Sequence, residues 1–432
     1  MRLADGFVTD VGFRPEPWRI AVALAGRGWR VRLHTSAYFG RDALLVRAAK
    51  LLPPTSRDRA IGFLLRRDEP ELDGCRALDR CRVVSWIFPD LLRRGLRRFR
   101  VTEEQVIFLS NLSFDRVAAL LIPRNTSVVV AMQGTALATI RRGRRLGAKT
   151  VVVANSPDAL SEHKLVCAEE DRLELERRPV ACAAVERLAR RIGRELREAD
   201  LVLVNSEFSR RDLVAYGLPV GKVVVASLGV DLDRFSPGVR RGGSGRIVYV
   251  GSVQPRKGVL YLARAVEGLR AEGSTCALHV YGSGEGDYVR LLESFVASGT
   301  LELHGFVPHS RIAGVLRDAD VFAFPTLSDG FGLVVYEAMA CGVPVVATDR
   351  CGAALKDGVN ALVVRHGDAA ALKEALRRLL DDPALAASLA AAALETARAS
   401  SWEQYRMVVA SAIETLTGRP FPRQTAAVEA AS

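Results

Sequence analysis

Asp320-Val-Phe-Ala-Phe-Pro325, Ser328-Asp-Gly-Phe-Gly-Leu-Val-Val-Tyr-Glu337 and Ala338-Met-Ala-Cys-Gly-Val-Pro-Val-Val-Ala-Thr348 decide the fold. They read as a buried strand, a glycine-rich turn, a short helix and a second buried strand, which is one βαβ unit of a parallel sheet. Working outward, the same alternation recurs. Strands are expected at 246–251, 277–282, 301–305, 320–325, 344–348 and 361–364. Between them lie segments of helical period such as 258–272, where Leu262, Ala265, Val266 and Leu269 share one face. Alanine-rich helices follow at 369–380 and 384–398, and a last helix begins near Ser401. A doubly wound α/β sheet is implied.

The first half repeats the plan less clearly. Segments 29–36, 81–88, 105–111, 127–132, 149–155, 200–206 and 222–227 read as buried strands, and an earlier first strand has only the weak candidate Asp5-Gly-Phe-Val-Thr-Asp-Val-Gly-Phe13. Arg197-Glu-Ala-Asp-Leu-Val-Leu-Val-Asn-Ser206 and Arg317-Asp-Ala-Asp-Val-Phe-Ala-Phe-Pro-Thr326 share one layout: helix end, Ala-Asp, buried strand, polar turn. Two Rossmann-like halves follow. The divisions expected are a first domain over 1–228, a linker over 229–245 rich in glycine, serine and proline, and a second domain over 246–400. The helix from about 401 returns to the first domain, and 418–432, without periodicity, is a disordered tail.

Composition agrees. At 432 residues the chain is too long for one ordinary domain, and 49% hydrophobic with 25% charged residues excludes wholesale disorder. No apolar run approaches the roughly 18 residues that cross a bilayer, and the amino terminus lacks a signal-peptide pattern, so a cytoplasmic protein is expected. The net charge of +12 is uneven: residues 1–245 hold 43 Lys and Arg against 29 Asp and Glu, residues 246–432 hold 18 against 20. Seven cysteines without a C-x-x-C pair suggest neither a zinc site nor a disulfide framework, and are read as reduced, mostly buried thiols.

The chemistry concentrates in one crevice. The helix beginning near Gly332 turns its unpaired N–H groups to the carboxyl end of the sheet, a place that binds anions. Glu337, about one turn in, is placed to accept from hydroxyls, and Asp329 in the turn reaches a second set. The loop Val250-Gly-Ser-Val-Gln-Pro-Arg-Lys-Gly258 brings Arg256 and Lys257, one of only seven lysines. At an effective dielectric near 20, one cation about 4 Å from one phosphate charge contributes roughly 4 kcal/mol before desolvation. Tyr281-Gly-Ser-Gly-Glu-Gly286 and His304-Gly-Phe-Val-Pro308 are further turns at strand ends; the glycines of the first also suit close packing, and the backbone of the second suits a nucleobase edge.

These runs, with Asn205-Ser-Glu-Phe-Ser209 and Ser227-Leu-Gly-Val-Asp-Leu-Asp-Arg-Phe-Ser-Pro237, resemble the family 4 retaining glycosyltransferases of GT-B architecture, closely over about 197–405 and in outline before. The resemblance implies an α/β GT-B fold, two Rossmann-like doubly wound domains facing across a cleft. It implies a UDP- or GDP-linked sugar as donor substrate, no further cofactor, no metal, and a glycan or lipid-linked acceptor in cell-surface glycan or glycolipid synthesis. Carried over by position, Glu337 binds the ribose hydroxyls, and Arg256 and Lys257 the diphosphate. Gly330, Phe331, Gly332 and Leu333 line the donor sugar and phosphate; Gly282 and Val307 complete the donor site. Asp329, Glu337 and Lys257, with His163, which lies roughly where relatives place a histidine near the donor sugar, form the catalytic set. Two departures stand out: Asp329 replaces a glutamate, and Ser252 stands where many relatives have an arginine.

Asp318-Ala-Asp320 imitates a metal-binding D-x-D but precedes a buried strand and recurs as Glu198-Ala-Asp200, which reads as structural. Leu91–Arg100 places Leu91, Leu92, Leu96 and Phe99 on one face and arginines on the other, and Arg141-Arg-Gly-Arg-Arg145 adds charge. This is the pattern of a helix docked on an anionic membrane and equally of an ordinary covering helix. The reading is therefore a cytoplasmic enzyme, peripheral on the inner face of the cell membrane, without nucleic acid as partner. The rival readings are a sugar-nucleotide epimerase, a non-catalytic sugar-nucleotide-binding protein and a membrane-bound scaffold.

Overall fold

The computed structural model describes residues 5–10, 16–36, 53, 81–86, 92, 95–96, 101–175, 179–238, 243–284 and 286–418. Apart from Leu92, Gly95 and Leu96, the Leu91–Arg100 segment lies outside these residues, as does the tail after Gly418. Two all-parallel sheets organise the chain. The first is ordered β3-β2-β1-β4-β5-β6-β7, from β1 (Asp5–Asp10), β2 (Arg30–Ser36), β3 (Cys81–Trp86), β4 (Val128–Met132), β5 (Lys149–Ala154), β6 (Leu201–Val204) and β7 (Val223–Val225). The second is ordered β10-β9-β8-β11-β12-β13, from β8 (Arg246–Val250), β9 (Ala277–Tyr281), β10 (Leu301–Gly305), β11 (Val321–Phe324), β12 (Val345–Thr348) and β13 (Leu362–Val364).

Counted within each domain, the first sheet runs 3-2-1-4-5-6-7 and the second 3-2-1-4-5-6, so the winding reverses beside the first strand of each: between β1 and β4, and between β8 and β11. A crevice opens at each reversal, outside the carboxyl ends of the strands. The first domain carries α1 (Glu16–Gly26), α2 (Glu103–Leu120), α3 (Leu137–Arg145), α4 (Ala159–Arg172), α5 (Pro179–Glu198) and α6 (Glu207–Ala215). The second carries α7 (Val259–Ala271), α8 (His309–Arg317), α9 (Leu333–Ala340), α10 (Ala369–Asp381) and α11 (Pro383–Ala399), with two short helical pieces between β9 and β10. Covered on both faces, the inner strands are near-continuous apolar runs; the side chains of β4, β5, β11 and β12 are all buried apart from the first residue of β5.

Three expectations change. The weak candidate at the amino terminus is a central strand: β1 pairs with both β2 and β4, and Phe7 and Val8 are buried although polar residues flank them. Segment 105–111 is not a strand but the start of α2. Thr102 accepts from Gln105 N–H while the Gln105 side chain accepts from Thr102 N–H, a capping box, and Val106, Ser110 and Phe114 are buried at helical spacing. Cys81 is disulfide-bonded, whereas the described Cys167, Cys182, Cys276, Cys341 and Cys351 are free thiols.

The linker is tied down at both ends. Phe235 is fully buried, contributing roughly 2 kcal/mol, and Arg317 donates to the Ser236 carbonyl at 2.8 Å. Val230 N–H donates to Ser400 O at 3.0 Å, and α12 (Trp402–Thr417) then packs on α1, with the Arg19 guanidinium 4.7 Å from the Trp402 ring centre. The chain therefore ends on the domain it began with.

Candidate functional site

The crevice of the second sheet is built from the loop after β8 and the turn after β11. Gly258 is left-handed at φ 68°, and a Cβ there would lie 2.1 Å from Pro325 O, so only glycine lets the first loop press on the second. Arg256 O accepts from Leu327 N–H at 2.8 Å, and Arg256 Nη1 donates to Ser328 O at 2.5 Å. The two cations are thus fixed beside the glycine-rich turn before any ligand arrives.

Asp329 is the hub. Its Oδ2 pairs with the Lys257 ammonium, and its Oδ1 accepts from Phe331 N–H at 3.1 Å and Gly332 N–H at 2.6 Å. Burial pushes its carboxyl up, but the Lys257 charge and these hydrogen bonds outweigh it and hold the pKa below the ordinary value. The carboxylate thereby caps the turn entering α9 and spends three of its lone-pair sites on the protein. The Phe331 and Gly332 amides, expected to face a donor, are taken by Asp329; the Leu333 and Val334 amides follow without an acceptor among the described residues.

Glu337 is buried one turn into α9, and its Oε1 accepts from His309 Nε2 at 2.8 Å. His309 Nδ1 lies 2.8 Å from Arg234 Nη1, which only donates, so Nδ1 accepts and the ring proton sits on Nε2. The hydrogen bond to Glu337 raises the pKa of His309. Nothing in the sequence singles out His309, which opens the polar run His309-Ser-Arg311 after His304-Gly-Phe-Val-Pro308 without a spacing signal.

The first domain closes over this turn. Ser206 and Ser209 of α6 donate to Gly330 O at 2.5 and 3.1 Å. Glu162 of α4 pairs with Arg256 at 3.2 Å; burial raises its pKa, with the Arg256 charge opposing and Asp329 adding to the rise. Beyond it, Tyr261 OH on α7 donates to the Glu169 carboxylate at 3.0 Å, and Arg172 donates to that hydroxyl. Asn155, just after β5, lies against Gly330, and both its side-chain amide atoms are buried without a hydrogen-bond partner among the described residues. A polar residue ending a buried strand at the carboxyl edge of a sheet was the signal that could have found it.

Other expected residues fall elsewhere. His163 does not join the cluster: its ring nitrogens lie 3.7 and 3.8 Å from Cys167 Sγ, one turn along α4, and its neighbour Glu162 meets Arg256 instead. Gly282 packs the second turn against the first, since a Cβ there would lie 1.8 Å from Gly251 O. Val307 is half-buried against the core, two residues before His309. Asp320 accepts from Gly243 N–H, Ser244 Oγ–H and Arg246 N–H at 2.7 to 2.9 Å, and Asp200 accepts from Thr150 N–H and Oγ–H at 2.8 Å; both aspartates join neighbouring strands. Of the 141–145 arginines, Arg141 makes a two-pronged contact with Glu198 at 2.6 and 2.7 Å.

One group among the described residues has a metal-ligand grouping that linear spacing of His, Asp and Glu does not reveal: His279, Glu302 and His304, from β9 and β10, bring three donor atoms within 4.8 Å of one another. Strand pairing across 25 residues assembles them. Arg246 donates to His279 Nε2 at 3.2 Å, which leaves the ring proton on Nδ1, the atom facing the other two donors, so the group is already satisfied by hydrogen bonding. No helix among the described residues is long and apolar enough to cross a membrane.

Comparison with known proteins gives the family and the fold. The profile of the Glycosyltransferase Family 4 covers residues 18–234, half the chain, and that of the Glycosyl transferases group 1 covers 244–382. D-inositol 3-phosphate glycosyltransferase of Geodermatophilus obscurus is 35% identical over 241 residues, 50% of this chain and 53% of that protein. The protein of the same name from Actinosynnema mirum is 34% identical over 247 residues, 51% and 59%. The chain thus spans about half the length of the curated relatives it matches. Sucrose-phosphate synthase from Thermosynechococcus elongatus superposes with a TM-score of 0.66 at 20% identity, over 96% of this chain and all of that one. Anabaena HepE in complex with UDP gives 0.59 at 15%, over 96% and 100%. With one profile over the first domain from residue 18 and the other over the second sheet, joined at the linker, the chain belongs to glycosyltransferase family 4 and has the GT-B fold.

Proposed function

We propose that the protein is a retaining glycosyltransferase that moves a hexose-type sugar from a UDP- or GDP-linked donor to an acceptor hydroxyl of a glycan or lipid-linked substrate, on the inner face of the cell membrane. One observation carries the reading: Arg256, Lys257, Asp329, Glu337 and the first free amides of α9 gather around a single turn at the winding reversal of the second sheet, under the first domain. HepE, which shares the fold, binds UDP and UDP-glucose; that supports a nucleotide-sugar donor here.

In this reading the carboxylate of Glu337 accepts the ribose hydroxyls, displacing His309. Lys257, Arg256 and the Leu333 and Val334 amides stabilise the charge that builds on the departing diphosphate. The acceptor oxygen attacks the anomeric carbon from the face the diphosphate leaves, the C–O bond to phosphate breaks, and the acceptor proton passes to a diphosphate oxygen. Closure of the first domain excludes water that would hydrolyse the donor. Asn155, with its amide unspent, orients hydroxyls of the sugar or the acceptor. Side-chain cations and helix amides fill the role a metal takes in other transferases, so chelator leaves the rate unchanged.

A thermal-shift panel of UDP-, GDP- and ADP-sugars identifies the donor, and transfer is then measured with Lys257→Ala and Glu337→Ala. Each is expected to lose at least 100-fold in kcat/KM; activity within a factor of a few of the parent in either variant means the site is misassigned. Incubation with donor alone is expected to give slow hydrolysis and no epimer.

A further inference from the structure

The basic surplus of residues 1–245 is not consumed by the cleft. Part of it lines a cavity of about 400 Å³ at the opposite end of the first sheet, where β1, β2 and β3 begin and the loop after α2 folds over them. Arg32 of β2 and Arg82 of β3 are register partners on adjacent parallel strands, so both guanidiniums rise from the same face into this cavity. Arg30, two residues before Arg32, joins them. Its charge is met: it pairs with Asp5 at 2.8 Å, and the other Asp5 oxygen also accepts from Asn125. Neither Arg32 nor Arg82 has an acidic partner among the described residues.

Like charges directly opposite each other destabilise a sheet, and among the described residues no acidic group offsets the pair. Their field reaches inward: the pKa of buried His34, packed on Phe7 at a ring distance of 4.6 Å, falls to about 4, first through burial and then through Arg32 and Arg82. The pocket is therefore concave, carries two guanidiniums, unpaired among the described residues, from register-paired positions on strands about one spacing apart, and is also lined by the neutral polar residues Asn125 and Thr126. Two guanidinium forks at that spacing suit an oxyanion of two charges and three or more oxygens, which accepts a pair of hydrogen bonds from each.

We propose that this cavity is a binding site for a phosphate group, clamped between Arg32 and Arg82 on the side of the first domain remote from the interdomain cleft. It is separate from the donor site and does not depend on the proposed activity. The phosphate belongs either to a soluble ligand or to a lipid headgroup, and the test separates the two.

The full chain is titrated with inorganic phosphate by calorimetry in low-chloride, phosphate-free buffer, beside Arg32→Gln/Arg82→Gln and Arg32→Lys/Arg82→Lys. The glutamine pair is expected to weaken binding at least tenfold, and the lysine pair, which keeps charge but loses the fork, several-fold. In phosphate-free buffer the glutamine pair is expected to melt no lower than the parent, because a repulsion has been removed; a melting point several degrees lower makes the arginines structural and overturns the proposal. Should the glutamine pair fail to fold, the lysine pair carries the comparison. Co-sedimentation with phosphatidylglycerol and phosphatidylcholine vesicles is the second arm. Retention on the first alone, lost in the variants, assigns a headgroup; binding of free phosphate without vesicle retention assigns a soluble ligand. Parent-like phosphate affinity in both variants, or no binding by the parent to either probe, refutes the site.

Discussion

Asp329→Asn tests whether the glycine-rich turn is held by charge or merely by shape. The substitution keeps an oxygen for the Phe331 and Gly332 amides but removes the negative charge facing Lys257. The Lys257 and Asp329 side chains are 12% and 17% exposed, so the ammonium is left nearly buried and unpaired. Removing one partner of a buried pair costs about 3–5 kcal/mol. Solvent at the mouth of the crevice relieves part of this, and about 3 kcal/mol is expected. Asp329→Ala, which also strips the cap from two amides, is expected to lose about 1 kcal/mol more. The sign with pH follows from the lowered Asp329 pKa: the stabilisation is present above the ordinary carboxyl value of 3.8 and is lost as pH falls below it through the folded value. Urea unfolding of the parent, Lys257→Ala, Asp329→Asn and the double variant at pH 7 closes a cycle. A coupling energy of about 2 kcal/mol or more is expected; coupling below 0.5 kcal/mol, or Asp329→Asn within 1 kcal/mol of the parent, refutes the argument.

Two further outcomes follow from named contacts. Glu195, buried on α5, accepts from Gly134, Ala136 and Leu137 amides at 2.6 to 3.2 Å and holds the turn after β4. Burial lifts its pKa from 4.5 to about 7 against the pull of those amides and Arg191. The folded state thus binds the extra proton between those values, and stability falls by up to about 3 kcal/mol as pH rises from 4.5 to 7. Glu195→Gln is expected to remove that slope in urea titrations at pH 5, 6 and 7, and parallel profiles would count against it. Gly330→Ala places a methyl 2.5 Å from Asn155 O and 3.1 Å from the Ser156 Cα, across the cleft rather than within either domain. It is expected to widen the cleft in small-angle scattering and cut transfer at least tenfold with little change in melting; unchanged kcat/KM shows that this contact is not formed in the reacting state.

What the sequence disclosed and what it withheld divide along one physical line. Strands buried on both faces advertise themselves, which is why the second sheet was legible from Arg246 to Val364. β1 was obscured because Asp5, Gly6 and Thr9 interrupt its apolar run, although its central place in the sheet buries Phe7 and Val8 completely. Segment 105–111 has the apolar density of a strand, but the Thr102–Gln105 cap, a local hydrogen-bond pattern, commits the chain to a helix. The site follows the same division. Lys257, Asp329 and Glu337 sit in contiguous motifs whose turn chemistry is local, and the sequence marks them. Glu162 and His309 acquire their neighbours only when distant segments meet, and nothing within a few residues of either encodes that meeting; Asn155 has only its place at the end of a buried strand to mark it. The pairing of Arg256 with Glu162 has a consequence for the cleft itself. In the proposed reading Arg256 meets the donor diphosphate, but it is already paired with a carboxylate of the other domain, so donor phosphate and Glu162 would compete for one guanidinium. On that reading donor entry loosens one of the contacts between the domains, beside the Ser206 and Ser209 hydrogen bonds to Gly330 O, and so couples their opening to occupancy of the donor site.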